Sequence, residues 1–358
     1  MIPVTKSYLP SLEEYNNYLK KIWENSWLTN RGELVQELEQ KLCSYLEVPN
    51  LLFVNNGTIA LQIAIKALEL EGEVITTPFS YVATTSSIVW ENCKPIFVDI
   101  DEKTLCINAD LIENAITEKT TGILATHVYG IPCDVEKIER IANKHNLKVI
   151  YDAAHCFGVK YKGQSLLNYG NISTLSFHAT KLFHTGEGGG IVANDKEVFH
   201  KIFYMHNFGH NGQEAFFGIG VNGKSSELHA AMGLSVLPYI DTIVAKRKLL
   251  SQQYDTLLQD SSLTKPHLPL DTEPNYSYYP VIFRSEEILL AVKEELNKNN
   301  IFPRRYFYPS LNNLPYLEYQ SCPISEKIAE QVLCLPLYYE LELESVTQIT
   351  TIIKNKAN

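Results

Sequence analysis

The sequence predicts an α/β protein with a mostly parallel central sheet and helices on both of its faces. Short apolar runs typical of buried strands occur at residues 51–54, 73–77, 95–99, 122–126, 147–151 and 172–177. Helical segments separate these runs, and strands that alternate with helices in this way form parallel sheets. We therefore expect a ligand groove along the carboxyl ends of the strands.

Amphipathic spacing and capping residues predict the helices. Residues 33–46 carry apolar side chains at helical spacing, and Asp134 is a good N-cap for a helix that ends near Asn146. Further helices are predicted at 59–70, 82–91, 109–116, 195–205, 225–237 and 240–258.

A domain boundary is predicted in or near the long helix at 240–258. It gives a large domain at residues 1–245 and a smaller α+β domain at 246–358. The smaller domain combines a strand at 278–283 with helices at 286–299, 325–332 and 343–353.

Composition and charge argue against several classes of protein. The chain of 358 residues is 45% hydrophobic and 20% charged, which is typical of a globular domain. Its formal net charge of -10 argues against binding to nucleic acid or to an anionic membrane. No long apolar run predicts a membrane span, and the first residues lack a signal-peptide pattern. The seven cysteines have no C-x-x-C spacing, which predicts free thiols in a reducing cytoplasm and no metal site.

Lys181 is the first candidate for chemistry. It follows the strand at 172–177 and precedes glycines at positions 186, 188, 189 and 190, which let the backbone approach a ligand closely. A lysine at a strand exit can hold a carbonyl cofactor as an imine when burial and neighbouring charge lower its pKa. The alternative is a solvated surface lysine in a loop.

A phosphate site is predicted where Asn55-Asn56-Gly57-Thr58 joins a strand to a helix. Unpaired N–H groups and the helix dipole at such a junction attract an anion. The alternative is that Thr58 serves only as the N-cap of the helix.

Side chains at other strand ends suit an aromatic ring that contains nitrogen. Asp152 follows a buried strand and can hold a pyridine nitrogen protonated, although a capping or loop aspartate would fit equally well. Tyr81 offers a flat face for stacking, with ordinary packing as the alternative. His155 and His178 can each bond a phenolic oxygen or relay protons, and the alternative for both is a satisfied core histidine, which is the expectation for His178.

Two segments nearer the C-terminus are also candidates for binding a ligand or a partner. Residues 302–309 set Arg304 and a second arginine among aromatic side chains, which suits an anionic or aromatic ligand or else a packed rim. Residues 207–224 form a long loop rich in glycine, and such loops tend to be functional or to pack on a partner.

The motifs occur in an order that spans nearly the whole chain. They are found at residues 27–32, 56–61, 77–84, 127–134, 152–155, 176–190, 220–222, 308–309 and 334–337. Taken together they resemble the pyridoxal-phosphate-dependent sugar aminotransferases of the DegT/DnrJ/EryC1/StrS family. The resemblance implies a fold-type I aminotransferase with a large cofactor domain and a small C-terminal domain, which works as a homodimer with shared active sites.

The resemblance also implies roles for residues around the cofactor. Lys181 would bind the cofactor covalently and shuttle a proton, and Asp152 would pair with the ring nitrogen. His155, where many relatives have glutamine, would approach the phenolic oxygen, and Tyr81 would stack on the ring. The groups expected at the phosphate are Gly57, Thr58, Ser176 and, from the neighbouring subunit, Asn222.

For the substrate, the resemblance and the composition point to Arg304, Tyr306 and Tyr308 as contacts of a nucleotide sugar. Family members usually have an aromatic residue and then arginine after the asparagine, whereas this chain has Gly223 and Lys224. Lys224 is therefore expected to contact the phosphate or the substrate in a manner that the sequence leaves open.

The implied reaction moves an amino group from L-glutamate to a keto group of a nucleotide-linked sugar in two half-reactions. The Lys181 and Arg304 segments resemble those of members that aminate dTDP-4-keto-6-deoxyglucose, for O-antigen or related glycan synthesis. Amination of a dTDP-3-keto-6-deoxyhexose is the alternative. Family members that dehydrate sugars carry histidine in place of the lysine, so Lys181 argues against that activity, and a regulator that binds the cofactor without catalysis is a remoter alternative.

Overall fold

The computed structural model describes residues 1–357. Its helices are α1 (Leu12–Asn25), α2 (Glu33–Leu46), α3 (Gly57–Ala67), α4 (Val82–Trp90), α5 (Ala109–Ile112), α6 (Val135–His145), α7 (Lys196–Met205), α8 (Glu227–Val236), α9 (Ile240–Leu258), α10 (Glu286–Lys298), α11 (Pro323–Gln331) and α12 (Leu343–Ala357). Its strands are β1 (Ile2–Pro3), β2 (Leu52–Val54), β3 (Glu73–Thr76), β4 (Lys94–Phe97), β5 (Thr120–Thr126), β6 (Lys148–Asp152), β7 (Lys160–Tyr161), β8 (Gln164–Ser165), β9 (Ile172–Ser176), β10 (Gly189–Ala193), β11 (Thr272–Glu273), β12 (Pro280–Ile282), β13 (Ile301–Phe302) and β14 (Val332–Cys334).

The central sheet confirms the predicted fold class. Its strands lie in the order β2-β10-β9-β6-β5-β3-β4, and the neighbours from β9 to β4 pair in parallel. Only β10 runs antiparallel to its neighbours β9 and β2. No helix connects β9 to β10, and a parallel pairing would need a longer crossover, so the chain returns as a loop that carries Lys181.

Both faces of the sheet are buried, which explains the nearly continuous apolar strands. Successive residues of a strand point to opposite faces, so Phe53 packs into one core while Leu52 and Val54 pack into the other. Helices α2 and α6 cover the first face, and α3 and α7 cover the second. Because the strands from β9 to β4 pair in parallel, their carboxyl ends lie along one edge of this buried sheet.

Some predicted boundaries are wrong. Helix α3 begins at Gly57 rather than at residue 59, because the Asn56 side chain accepts a hydrogen bond from the backbone N–H of Ile59 and so caps the helix earlier. The helix predicted at 109–116 is α5 followed by a 3-10 turn at Glu113–Ala115. The two-residue strands were not predicted, since they are too short to show an alternating pattern.

The C-terminal part has its own core around β12 and β14. Side chains from the second half of α9, from α10 and from α12 fill it, and Leu250, Leu289 and Ile349 are buried there. The N-terminal strand β1 pairs in parallel with β13, so the first residues of the chain join this part. The division at residue 245 itself stays a prediction.

One helical stretch meets the length and composition of a membrane span. Glu227–Leu258 is long and apolar enough on those grounds alone. It is interrupted by a 3-10 turn at Leu237–Tyr239, and its side chains Leu234 and Leu250 lie in the protein cores. Packing in the protein cores thus explains the apolar composition of this stretch.

Candidate active site

A cavity of about 300 Å³ opens at the carboxyl edge of the central sheet. Residues at or just after the ends of β2, β3, β5, β6 and β9 line it, and residues from the C-terminal part close its other side. The predicted groove therefore exists at the predicted edge. Of the predicted site residues, the cavity brings together Gly57, Thr58, Tyr81, Asp152, His155, Ser176, Lys181, Arg304 and Tyr306.

Lys181 lies inside the cavity on the loop between β9 and β10. Backbone hydrogen bonds shape this loop, including Ala179 N–H to Gly186 C=O at 2.8 Å. The buried ring of Phe183 stacks on Phe157 with 4.5 Å between centroids, which anchors the loop in the core next to the lysine. The surface-lysine alternative is therefore wrong.

The electrostatic surroundings of Lys181 favour a reactive amine. Burial lowers the pKa of its amino group from the ordinary lysine value to about 8, while the Asp152 carboxylate opposes this shift and Arg304 adds to it. The amino Nζ donates to the Tyr278 hydroxyl at 3.4 Å. A pKa near neutrality leaves a useful fraction of the amine unprotonated, and that form attacks a carbonyl group.

The N-terminus of α3 forms an anion cradle beside Ser176. The first N–H groups of a helix have no intrahelical acceptor. The Asn56 side chain accepts from the N–H of Ile59, which leaves the N–H groups of Gly57 and Thr58 for a ligand. A Cβ atom on residue 57 would lie only 3.0 Å from Ser176 Cβ, so glycine lets the helix end approach Ser176 closely. These donors suit a phosphate group, and the alternative of Thr58 as N-cap is wrong.

Asp152 is the last residue of β6 and is buried. Its Oδ2 accepts a hydrogen bond from Thr84 Oγ1 at 2.7 Å, and its Oδ1 accepts one from the backbone N–H of Ala154 at 3.1 Å. Burial raises the pKa of the Asp152 carboxyl, whereas these hydrogen bonds and the charge of Lys181 counteract that rise. The hydrogen bonds and Lys181 therefore offset part of the cost of burying this carboxylate beside the cavity.

His155 has a defined tautomer. Its Nδ1 accepts a hydrogen bond from the backbone N–H of Tyr129 at 3.1 Å. Burial, with Lys181 adding to it, holds the pKa of the His155 ring well below its ordinary value, so the ring is neutral. A neutral ring whose Nδ1 accepts carries its proton on Nε2. His155 is therefore a hydrogen-bond donor at Nε2.

Tyr81 and His178 lie in more exposed parts of the lining. The Tyr81 side chain stands at the N-cap of α4 and is 56% exposed, which leaves the tyrosine accessible for stacking on a bound ring. His178 is exposed and its Nδ1 lies 2.8 Å from Thr180 Oγ1. The expectation of a core histidine at 178 is wrong, because the residue follows β9 at the sheet edge rather than inside the strand.

The two neighbouring arginines of the C-terminal part differ. Arg304 lines the cavity, with its guanidinium 4.7 Å from the centre of the Tyr306 ring. Arg305 points away, pairs with Glu286 at 2.7 Å and covers the Tyr308 ring at 3.5 Å. Tyr308 is therefore not among the residues that line the cavity within the described chain.

Asn222 and Lys224 also lie outside the lining of this single chain. The Asn222 carbonyl accepts a hydrogen bond from the Asn55 side chain at 3.3 Å. The Lys224 amino group donates to Asn207 Oδ1 at 2.7 Å and sits 4.6 Å from the centre of the Phe208 ring. A role for either residue across a subunit interface stays a prediction.

Several lining residues were not predicted. Ser80 and Thr126 stand directly at strand exits, so the same edge argument that found Asp152 could have found them. Tyr278 had no signal, because it lies within a predicted strand of the other domain and reaches the cavity only through the tertiary fold.

Comparison with known proteins agrees with this geometry. A model of the DegT/DnrJ/EryC1/StrS aminotransferase family matches residues 11–354. The chain is 45% identical over 358 residues to a dTDP-4-amino-4,6-dideoxy-D-glucose transaminase of Shigella dysenteriae, with 98% of both chains covered. It is 41% identical over 374 residues to a protein of the same name from Escherichia coli, with 99% of this chain and 98% of the other covered.

The fold is also found among solved structures. The structure of DesI in the presence of its TDP-sugar product matches with a TM-score of 0.95 at 28% identity, covering 99% of this chain and 93% of DesI. The family match, the full-length relatives and the cavity around Lys181 agree with one another. The chain belongs to the DegT/DnrJ/EryC1/StrS aminotransferase family and is a pyridoxal-phosphate-dependent sugar aminotransferase.

Proposed function

We propose that this enzyme transfers the amino group of L-glutamate to C4 of dTDP-4-keto-6-deoxy-D-glucose, giving dTDP-4-amino-4,6-dideoxy-D-glucose and 2-oxoglutarate. The observation that carries the proposal is the partly buried Lys181, with a pKa near 8, in one cavity with Asp152, His155 and an anion cradle. The choice of sugar is supported by the two full-length relatives of 41% and 45% identity that are named for this product.

The residues present fit pyridoxal phosphate. The cradle of Gly57, Thr58 and Ser176 suits its phosphate, and the accessible Tyr81 ring suits its aromatic face. The buried Asp152 carboxylate suits the ring nitrogen, since a buried anion needs a positive partner. When bound, the cofactor supplies a carbonyl group for the amine and a ring that accepts electrons.

The protein's own side chains move the protons and hold the cofactor ring in place. The unprotonated Nζ of Lys181 takes the proton from the α-carbon of glutamate and later delivers a proton to the sugar carbon. The Asp152 carboxylate would keep a proton on the ring nitrogen of the bound cofactor through a charge-assisted hydrogen bond. The His155 Nε2–H would donate to the phenolic oxygen of the bound cofactor.

The C-terminal part would contact the sugar nucleotide. Arg304 is a cation whose guanidinium faces the cavity, and Tyr306 beside it offers an aromatic face. We infer that these two residues bind the diphosphate or the sugar. Tyr308 would join them only if substrate binding moved it into the cavity.

We further infer a homodimer in which the partner's Asn222 and Lys224 complete the phosphate site. The loop at 207–224 supports this, because its Ile219 side chain is 81% exposed and Phe216 is 66% exposed. Large exposed apolar side chains grouped in one segment favour burial against a second protein surface. Lys224 would supply the positive charge that the backbone donors of the cradle lack.

The free state of all seven cysteines supports the predicted cytoplasmic location.

The test follows the visible absorption of the cofactor on the purified holoenzyme. L-glutamate alone should bleach the band, and dTDP-4-keto-6-deoxy-D-glucose should then restore it with release of the 4-amino sugar, identified by mass spectrometry and NMR. Lys181→Ala is the control that should show neither change. Bleaching without restoration would overturn the C4 substrate and favour a 3-keto sugar, to be tried next on the same sample.

The shared site has a separate test. A mixture of inactive Lys181→Ala and weakened Lys224→Glu chains should regain activity after subunit exchange, since one of the two sites in a mixed dimer would be intact. A mixture no more active than its two components would contradict a contribution of Lys224 from the partner.

A further inference from the structure

A chain of three buried hydroxyl groups ends on the Asp152 carboxylate. Thr84 Oγ1 donates to Asp152 Oδ2 at 2.7 Å, Ser80 Oγ lies 2.7 Å from Thr84 Oγ1, and Thr126 Oγ1 lies 2.9 Å from Ser80 Oγ. All four side chains are buried. They come from neighbouring strand exits, because Ser80 follows β3, Thr126 ends β5 and Asp152 ends β6.

The position of Thr84 follows from the local fold. It lies in the first turn of α4, the helix that begins directly after Tyr81 at the exit of β3. Thr126 and Asp152 are register partners in the pairing of β5 with β6, so their side chains emerge side by side at the sheet edge. The chain of hydroxyls is thus built into the strand order.

The direction of every proton in this chain is fixed by the carboxylate. An ionised carboxylate only accepts, so Thr84 must donate its single hydroxyl proton to Asp152. Thr84 Oγ1 must then accept from the Ser80 hydroxyl. Because the single proton of Ser80 is used in that hydrogen bond, Thr126 must donate to Ser80 Oγ. All three O–H dipoles point the same way, and hydrogen bonds aligned in this manner strengthen one another.

We propose that Thr84, Ser80 and Thr126 act as positioning residues that keep Asp152 ionised and aimed at the ring nitrogen of the bound cofactor. This inference rests on the proposed role of Asp152. The hydrogen bonds from these hydroxyl groups offset part of the cost of burying the carboxylate, so the pKa of Asp152 is lower than burial alone would make it. The proton shared with the cofactor would therefore stay on the ring nitrogen. Without the Thr84 hydroxyl, the shared proton would move from the ring nitrogen toward the Asp152 carboxylate.

A neighbouring residue provides a matched control. Thr85 is buried next to Thr84 on α4, and its Oγ1 has no hydrogen-bond partner within residues 1–357. Thr84→Val and Thr85→Val therefore make the same chemical change at adjacent buried positions. Only the first change removes a hydrogen bond to Asp152.

The experiment uses the full-length holoenzyme loaded with pyridoxal phosphate that carries ¹⁵N in the ring. In Thr84→Val the ring ¹⁵N signal should move toward the unprotonated value, and the glutamate half-reaction should slow about tenfold, as expected for loss of one hydrogen bond to a charged group. Thr84→Ser, which keeps the hydroxyl, should restore both. Ser80→Ala should move the ¹⁵N signal in the same direction by a smaller amount. This variant tests the role of the hydroxyl groups even if Thr84→Val does not fold.

Two results would overturn the inference in distinguishable ways. If Thr84→Val and Ser80→Ala leave the ¹⁵N signal where Thr85→Val leaves it, while Asp152→Asn moves it, the hydroxyl chain has no such role. If Asp152→Asn also leaves the signal unchanged, the proposed contact between Asp152 and the ring nitrogen is wrong. The aminotransferase activity itself is measured separately and can stand in either case.

Discussion

The two sides of the cavity are built in different ways. On the sheet side, both Asp152 and His155 are buried. The Asp152 carboxylate accepts hydrogen bonds at 2.7 Å and 3.1 Å, and the His155 ring accepts one from a backbone N–H at 3.1 Å. On the C-terminal side, Arg304 is held mainly by its stacking on Tyr306, and Tyr278 reaches Lys181 through a longer 3.4 Å contact. We infer that the sheet side is the more fixed of the two, and that the Arg304 side chain has more freedom to move.

This contrast suggests a division of labour. A cofactor that stays bound through both half-reactions needs fixed partners, because misplacement of the reacting atoms slows the chemistry. Two substrates of different shape must use one cavity in turn, which favours a wall that adjusts. Changes on the sheet side should therefore reduce kcat, and changes on the C-terminal side should chiefly raise KM.

The largest effect is expected for Lys181→Ala. Removal of the amine that moves the proton should lower kcat by about 10³-fold, within the range for a lost general acid–base group. The cradle of Gly57, Thr58 and Ser176 remains, so the variant should still bind pyridoxal phosphate. Borohydride reduction followed by mass spectrometry should add the cofactor mass to the wild-type chain and not to the variant.

Lys181→Arg serves as the control, because it keeps a positive charge but cannot form the covalent link. It should be as inactive as the alanine variant. Appreciable turnover by either variant would contradict the assignment of the chemistry to the sheet side of the cavity.

How much of this the sequence could predict depends on where a residue lies. Asp152, Ser176 and Lys181 follow apolar runs whose type is easily recognised, and parallel strands bring such exits together regardless of loop details. Tyr278 and the division between Arg304 and Arg305 depend on how the C-terminal part packs on the sheet. The spacing of side chains within one segment carries no information about that packing.

The second effect is a pH dependence of cofactor capture by the apoenzyme. Burial lowers the pKa of Lys181 to about 8, so its reactive unprotonated form increases as pH rises toward that value. The rate of covalent attachment should rise about tenfold for each pH unit below the pKa and level off above it. Stopped-flow absorbance with free pyridoxal phosphate would measure this, and a midpoint near that of an ordinary lysine would show that the amine is not perturbed by its surroundings.

The third effect compares two adjacent residues of the adaptable side. Arg304→Ala should raise KM for the nucleotide sugar by about tenfold, the typical loss for a hydrogen bond to a charged group, with little change in kcat. Arg305→Ala should leave that KM unchanged and lower thermal stability slightly, because Arg305 is paired with Glu286. Steady-state kinetics on both variants test this, and equal KM values for Arg304→Ala and wild type would remove Arg304 from the substrate site.

The smallest effect is expected for Tyr278→Phe. The Tyr278 hydroxyl accepts a hydrogen bond from Lys181 Nζ, and burial raises the pKa of this hydroxyl, so it is neutral at working pH. A hydrogen bond from an ammonium group is stronger than one involving a neutral amine, so its loss should lower the pKa of Lys181 further. The pH midpoint for covalent attachment should then fall below that of wild type, and kcat should change by about two- to fivefold.

Tyr278→Phe also decides which side of the cavity the tyrosine serves. A lower pH midpoint with an unchanged KM for the sugar would place its hydroxyl with the fixed groups around Lys181, although the residue belongs to the C-terminal part. A raised KM with an unchanged midpoint would place it with Arg304 on the adaptable side. The ring of Tyr278 also packs 4.5 Å from His155, and phenylalanine keeps that contact, so the comparison isolates the hydroxyl group.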